Sequence, residues 1–212
     1  TFGPCFRAEK SATKKHLSEF WILECEAAHL DLTAAMDLTE QVIKDCLQQS
    51  IQRPDLLKML DIDVTHLTVV DQVWPRITYG DICIKYGLSF GLDISSELEQ
   101  QIVKDFGGPV FITHYARSLK PFYMQTDPSP VVKTAVCFDL LFPEVGELVG
   151  GSEREADYAT LKLAMEEAGL DMEKMDWYLQ TRQWGSVPHA GFGLGFDRLV
   201  MYICKLQKIH DA

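Results

Sequence analysis

Apolar and polar residues alternate with a period of two at the start of the chain. Two such runs, at 5–9 and 20–26, flank a polar stretch at 10–19 that contains three lysines and a histidine. This alternation is typical of strands, so we predict an antiparallel hairpin. Because successive strand residues point to opposite faces, four side chains of the second strand share one face: Phe20, Ile22, Glu24 and Glu26. Two carboxylates on an aromatic face indicate either a solvated face, which the pattern alone favours, or a polar binding site.

The hydrophobic spacing then changes to that of helices in several places. Apolar stripes and terminal caps predict helices at 31–50, 96–106, 153–168 and 171–184, with a further apolar helix from Phe196 onward. In the second of these, Ser96 and Glu99 have the spacing of a capping box.

Between these helices, short apolar or β-branched runs favour strands. They lie at 66–70, 76–84, 109–113 and 134–142. Since strands and helices are mixed along the chain, the pattern is compatible with a sheet covered by helices.

Composition narrows the class of protein. The 212 residues are 47% hydrophobic, which suits one globular domain with a substantial core. No run approaches 18 consecutive apolar residues, so we expect no membrane partner. The six cysteines are scattered without a C-x-x-C pair, which favours reduced core thiols. A net charge of -11 argues against a broad nucleic-acid-binding face, and leaves the lysine-rich loop at 10–19 as a local basic surface.

Two regions carry candidate chemistry. Asp139 interrupts an apolar strand, and Glu147 follows eight residues later near a glycine turn. Mg²⁺ takes one or two carboxylates plus substrate phosphates, so this pair is a candidate metal site, although spacing alone favours a solvated loop position for Glu147. Farther on, Arg198 falls in the first turn of a predicted helix, where a cation is disfavoured unless an anion lies nearby.

Three stretches, in order, resemble a known family. They are FGPCFRAEKSATKKHLSEFWILECE, DLLFPEVGELVGGSERE and SVPHAGFGLGFDRL. The first resembles motif 2 and the last motif 3 of the class II aminoacyl-tRNA synthetases, in the version of the asparaginyl, aspartyl and lysyl group and nearest its asparaginyl branch. The resemblance implies an α+β fold with a mixed, mainly antiparallel sheet flanked by helices. Asp197 stands where family members often have Glu, which is a conservative change.

The resemblance also implies a role for individual residues. It makes Arg7 and Arg198 the catalytic residues, and Asp139 and Glu147 the ligands of Mg²⁺. The amino acid would contact Arg7, Glu24 and Arg154. ATP would contact Arg7, Glu9, His16, Phe20, Asp139, Glu147, Gly195 and Arg198. The implied reaction joins an amino acid to ATP as an adenylate and passes it to tRNA, with no protein nucleophile.

Glu24 bears on which amino acid is used. Aspartyl enzymes usually carry the shorter Asp at this place, and a longer carboxylate could accept a hydrogen bond from an amide while repelling an aspartate side chain. We therefore predict asparagine, with aspartate as runner-up, and tRNA(Asn) as the nucleic-acid partner.

The remaining expectations concern the whole protein. The chain opens directly on motif 2, so we expect a catalytic-domain fragment without motif 1 or the anticodon-binding domain, from a full-length protein that is a homodimer. An asparagine-synthetase-like paralogue or an inactive fragment is the alternative. We expect a cytoplasmic location, with a mitochondrion or other organelle as the alternative.

Overall fold

One mixed sheet forms the centre of the molecule in the computed structural model, which describes residues 1–8, 17–128 and 132–212. Within these residues the sheet has seven strands in the order β1-β2-β7-β6-β5-β4-β3. The strands are β1 (Phe2–Phe6), β2 (Glu19–Ala28), β3 (Arg76–Thr78), β4 (Val110–Thr113), β5 (Cys137–Phe142), β6 (Gly146–Glu153) and β7 (His189–Gly195). Every adjacent pair is antiparallel except β3 with β4. The predicted α+β class with a mainly antiparallel sheet is confirmed.

Helices form where polar caps precede amphipathic runs. They are α1 (Leu32–Ile51), α2 (Pro54–Met59), α3 (Tyr79–Tyr86), α4 (Ser96–Phe106), α5 (Tyr158–Glu167), α6 (Met172–Gln183) and α7 (Phe196–Ile203). The side chain of Asp31 caps α1 by accepting from the backbone N–H of Ala34 at 2.7 Å. Asp157 and Asp171 cap α5 and α6 in the same way.

The helices cover the sheet unevenly, and this leaves room for a site. On one face, α1 packs Ile43 and Leu47 into the main core with Phe138 and Phe192 of the sheet. On the other face, α3 and α4 join a second core that includes Ile112. Side chains of β2 that point to this second face, starting with Ile22, line an open cavity instead of a core.

One strand prediction was wrong and a second extended too far, because side chains cap helical turns at both places. The run at 66–70 lies in a 3₁₀ helix, Val64–Asp71, where Asp63 accepts from the backbone N–H of Thr65. The run at 76–84 is a strand only to Thr78, whose hydroxyl accepts from the N–H of Asp81 and starts α3. Local caps override β propensity at both places.

Three predicted boundaries also differ. The first strand was predicted at 5–9 but spans Phe2–Phe6, so Arg7 lies just beyond its end. The N-cap of α4 is Ser95, not Ser96. The helix predicted at 153–168 starts after Asp157, because the chain before it continues the sheet as β6 up to Glu153.

Among the described residues, no helix combines the length and the apolar character that crossing a lipid bilayer requires.

Candidate active site

The hairpin of β1 and β2 brings a guanidinium to an aromatic ring. The backbone N–H of Arg7 donates to the carbonyl of Ser18 at 2.9 Å, which extends the hairpin pairing past β1. The Arg7 guanidinium lies over the ring of Phe20, 5.6 Å from its centroid. Glu9 and His16, also predicted to contact ATP, lie outside the described residues.

The junction of β7 and α7 supplies the second guanidinium. Gly195 is the N-cap of α7, and Arg198 lies in the first turn and donates to the backbone carbonyl of Glu147. Asp197 accepts from the backbone N–H of Trp21 at 2.7 Å. Since β7 pairs with β2 only as far as Gly195, this carboxylate continues the ladder one step beyond the strand and ties the start of α7 to β2.

These two elements enclose a small cavity of about 140 Å³. It is lined by Arg7, Leu17, Phe20, Ile22, Glu147, Leu148, Gly193, Gly195, Asp197, Arg198 and Ile209. Two guanidinium groups and a stacked aromatic ring form a site suited to an anionic, planar ligand such as a nucleotide.

A larger cavity of about 910 Å³ adjoins the first, because both are lined by Arg7, Ile22, Glu147 and Gly193. Its polar walls come from β2, β5, β6 and the segment before β5. The charged side chains around it are Arg7, Glu24, Glu26, Lys120, Asp139, Glu147 and Arg154. We refer to these two adjoining cavities together as the cleft.

The predicted metal ligands converge in this cleft. A Cβ atom built on Gly150 would lie 3.0 Å from Oε1 of Glu147 and 3.6 Å from Oδ1 of Asp139, so both carboxylates reach the same point. The negative charge of Asp139 first, and desolvation second, raise the pKa of Glu147 to about 7. Glu147 lies in strand β6 and not in a loop, so that part of its sequence-based placement was wrong, while the residue is exposed as the spacing predicted.

Lys120 is a site residue that the sequence did not reveal. Its Nζ lies 2.5 Å from Oδ2 of Asp139 and 3.9 Å from the centroid of the Tyr115 ring. Burial lowers the pKa of Lys120, but the charge of Asp139 and the hydrogen bond to it outweigh burial and raise the pKa overall. The only sequence signal was its position in the basic KPFYM segment after β4.

The guanidinium of Arg154 is held by side chains on two strands, β2 and β6. Its Nε donates to Oε1 and its Nη2 to Oε2 of Glu26, both at 3.0 Å, and its Nη1 donates to Oγ of Ser152 at 2.5 Å. Gly191 leaves the space for this pair, since a Cβ there would lie 2.0 Å from Oε2 of Glu26. Nη1 and Nη2 each keep one further N–H that these bonds do not use.

No role was predicted for Glu26. The only sequence signal was that Glu26 shares one face of the second strand with Glu24. In the structure Glu26 neutralises Arg154, and Nε2 of His189 lies 3.9 Å from its Oε1. Glu24 lies two residues earlier and accepts from the Thr1 hydroxyl at 3.1 Å. This part of the larger cavity therefore has two carboxylates, Glu24 and Glu26, beside the guanidinium of Arg154.

All described residues of the predicted site line this cleft. Phe20, Gly195 and Arg198 lie at the smaller cavity, Glu24, Asp139 and Arg154 lie at the larger one, and Arg7 and Glu147 lie at both. Their individual roles remain predictions.

Comparisons with known proteins agree with this geometry. Residues 1–212 match the family of tRNA synthetases class II (D, K and N). The chain is 41% identical to an asparagine–tRNA ligase of Lactobacillus delbrueckii subsp. bulgaricus, over 100% of this chain and 51% of that protein.

Solved structures match as well. An asparaginyl-tRNA synthetase from Pyrococcus horikoshii complexed with asparaginyl-adenylate superposes with a TM-score of 0.90 at 40% identity, over 98% of this chain and 49% of that one. The Entamoeba histolytica asparaginyl-tRNA synthetase in complex with asparaginyl-adenylate gives 0.85 at 31% identity, over 99% and 50%. The chain thus spans about half the length of the proteins it resembles.

Proposed function

Because the chain belongs to the class II tRNA synthetases of the D, K and N group, we propose that it carries the catalytic site of an asparagine–tRNA ligase. The protein would join asparagine to ATP as asparaginyl-adenylate, release pyrophosphate, and pass the asparaginyl group to tRNA(Asn). The observation that supports the proposal is the pair of adjoining cavities: Arg7, Phe20 and Arg198 line the smaller one, which suits a nucleotide, and the neutralised guanidinium of Arg154 lies at the larger one.

The chemistry follows from the groups at the junction of the two cavities. The amino-acid carboxylate attacks the α-phosphorus of ATP, and the bond between that phosphorus and the α,β-bridging oxygen breaks, so that pyrophosphate leaves with the bridging oxygen. Arg7 lies where both cavities meet, so its guanidinium can hold the two negatively charged reactants together. Arg198 supplies a second fixed positive charge at the smaller cavity, and Phe20 offers its ring to adenine.

Asp139 and Glu147 fit a divalent metal. Two carboxylates that converge on one point and repel each other suit a hard cation that brings phosphate oxygens as further ligands. We propose that they hold Mg²⁺, which would neutralise the charge of the triphosphate. The protein's own part is to keep both carboxylates on adjacent strands, β5 and β6, at the edge of the nucleotide pocket.

Charge in the larger cavity favours asparagine over aspartate. Glu26 already compensates Arg154, and Glu24 adds a further negative charge. A substrate carboxylate would meet net repulsion there, whereas an amide can accept from Arg154 and donate to Glu24. The unused N–H groups on Nη1 and Nη2 of Arg154 are the donors available to the amide oxygen.

We also propose that the full protein is a homodimer. A cluster of large apolar side chains remains exposed beside edge strand β1, with Phe2 5.0 Å from both Trp21 and Phe196 between ring centroids. Such a patch suits a protein interface. Light scattering on the purified protein should give twice the mass of one chain, and a monomer at micromolar concentration would reject this part of the proposal.

Transfer to tRNA separates a ligase from a relative that makes free asparagine. With ATP, Mg²⁺ and labelled asparagine, the protein should load tRNA(Asn) and leave tRNA(Asp) uncharged. Production of free asparagine from aspartate and ammonia, without charging of tRNA, would instead identify an asparagine-synthetase-like enzyme and contradict the proposal.

A further inference from the structure

A cation of the protein already lies against one of the two proposed metal ligands. Nζ of Lys120 is 2.5 Å from Oδ2 of Asp139 and packs on the face of Tyr115. The two side chains of this ion pair are only 14% and 12% exposed. The ammonium thus occupies a built position between a carboxylate and an aromatic ring, not a chance surface contact.

The backbone that carries Lys120 is held in place by one arginine. Nη1 of Arg117 donates to the carbonyls of Lys120 and Pro121 at 2.8 and 3.1 Å, and Nη2 donates to that of Phe122 at 3.0 Å. Because three consecutive carbonyls are fixed, the ammonium can change partner only by rotation of its own side chain. That side chain has four rotatable bonds and can move by several ångströms.

The position of this ammonium sets the charge that a metal ion encounters. Without a nucleotide, Lys120 neutralises Asp139, so the carboxylate pair presents about one negative charge instead of two. Divalent cations bind oxygen sites according to ligand number and charge, so a free metal ion should bind here weakly. When a triphosphate enters, its oxygens offer the ammonium a new partner and supply the missing ligands for the metal.

We propose that Lys120 is a placeholder cation: it positions Asp139 while the metal is absent and makes metal binding depend on the nucleotide. The inference rests on the proposed metal and ATP site. It goes beyond that site because it assigns Lys120 a role that neither the family motifs nor the comparisons supply. The metal would enter together with ATP, and the ammonium would move from Asp139 to the phosphates.

The test measures Mn²⁺ affinity by electron paramagnetic resonance, with and without ATP, in the absence of any amino acid. Mn²⁺ held by free ATP is subtracted. Lys120→Met removes the charge. Lys120→Gln also removes the charge but keeps an N–H that can donate to Asp139, and it takes the place of the first variant if that variant does not fold. Lys162→Met is the matched control, because it removes a lysine paired with a carboxylate on the exposed surface of α5.

In the unsubstituted protein, ATP should tighten Mn²⁺ binding at least roughly tenfold. Without ATP, Lys120→Met and Lys120→Gln should bind Mn²⁺ at least roughly tenfold more tightly than the unsubstituted protein, since a unit charge next to the ligand is gone. With ATP the difference should shrink to within roughly threefold, and Lys162→Met should match the unsubstituted protein in both conditions.

Equal Mn²⁺ affinity of the Lys120 variants and the unsubstituted protein without ATP would overturn the proposal, as would weaker binding in both conditions. Tight binding of Mn²⁺ to the unsubstituted protein without ATP would overturn it as well. Asp139→Asn distinguishes a wrong role for Lys120 from a wrong metal site. If this variant leaves the Mn²⁺ affinity with ATP unchanged, Asp139 is not a metal ligand and the proposed metal site is wrong. A failure to activate asparagine would not alter these Mn²⁺ measurements. The proposed function is tested separately, by pyrophosphate exchange that depends on asparagine.

Discussion

Phe20 and Trp21 are neighbours on β2 that face opposite sides of the sheet. Phe20 lines the smaller cavity under Arg7, whereas Trp21 packs against Phe2 on the outer side and is 42% exposed. Only Phe20 is placed to stack on adenine. Trp21, the adjacent aromatic residue on the other face, is therefore a control for substitution of Phe20.

Substitution of Phe20 by Ala should raise KM for ATP roughly five- to 150-fold with a smaller change in kcat, because stacking on a base contributes about 1–3 kcal/mol. Trp21→Ala should leave KM for ATP within roughly twofold, because its ring lies on the other face. Steady-state pyrophosphate exchange at varied ATP measures both. An equal rise in KM for the two variants would contradict the assignment of Phe20 to the nucleotide pocket.

Glu26 is the residue through which Arg154 is both oriented and neutralised. Glu26→Gln keeps the shape and one acceptor but leaves the guanidinium charge uncompensated. We expect the preference for asparagine over aspartate, as a ratio of kcat/KM, to fall at least roughly tenfold, because a substrate carboxylate would then find a partner. Exchange assays with both amino acids check this, and an unchanged ratio would show that Glu26 has no part in the choice.

At the scale of elements, the cleft depends on how closely β7 lies against β2. Their register pairs Glu24 with Gly193 and Glu26 with Gly191, so the two carboxylates of β2 that line the cleft lie opposite residues without a side chain. Glycine at 191 is required by sterics, since a Cβ there would lie 2.4 Å from the backbone carbonyl oxygen of Cys25 as well as against Glu26.

Gly191→Ala should therefore destabilise the fold by about 1–3 kcal/mol, the usual cost of forcing extra atoms into a packed site. Gly3→Ala is the matched control on edge strand β1, where a Cβ would meet no atom within 4 Å, and it should change stability by less than about 0.5 kcal/mol. Urea unfolding of both variants measures the difference. A Gly191→Ala protein as stable as the control would mean that β2 and β7 can separate without cost.

Across the whole molecule, the sequence predicted the features that depend on short stretches of the chain. The alternation at 20–26 predicted β2 and the shared face of Glu24 and Glu26, and the three motif stretches predicted which described residues line one cleft. The helix at 31–50 followed from a local cap and stripe. The strand, its shared face and the helix need only neighbours along the chain, whereas the gathering of the three stretches at one cleft was predicted from their resemblance to a known family.

Pairing between distant residues could not be predicted in this way. Arg154 and Glu26 are 128 positions apart, and their contact depends on the registers of β6, β7 and β2 together. Lys120 and Asp139 are 19 positions apart, and Arg117 holds the backbone that carries Lys120. Helix starts at Asp63 and Thr78 were missed because a single side-chain cap outweighed several β-branched residues.

We propose that this cleft activates asparagine. Exchange of labelled pyrophosphate into ATP, with asparagine or aspartate as the only amino acid, tests it most directly, because the exchange reports adenylate formation without tRNA. We predict asparagine-dependent exchange whose kcat/KM exceeds that with aspartate by at least roughly a hundredfold. Exchange supported by aspartate and not by asparagine would contradict the account.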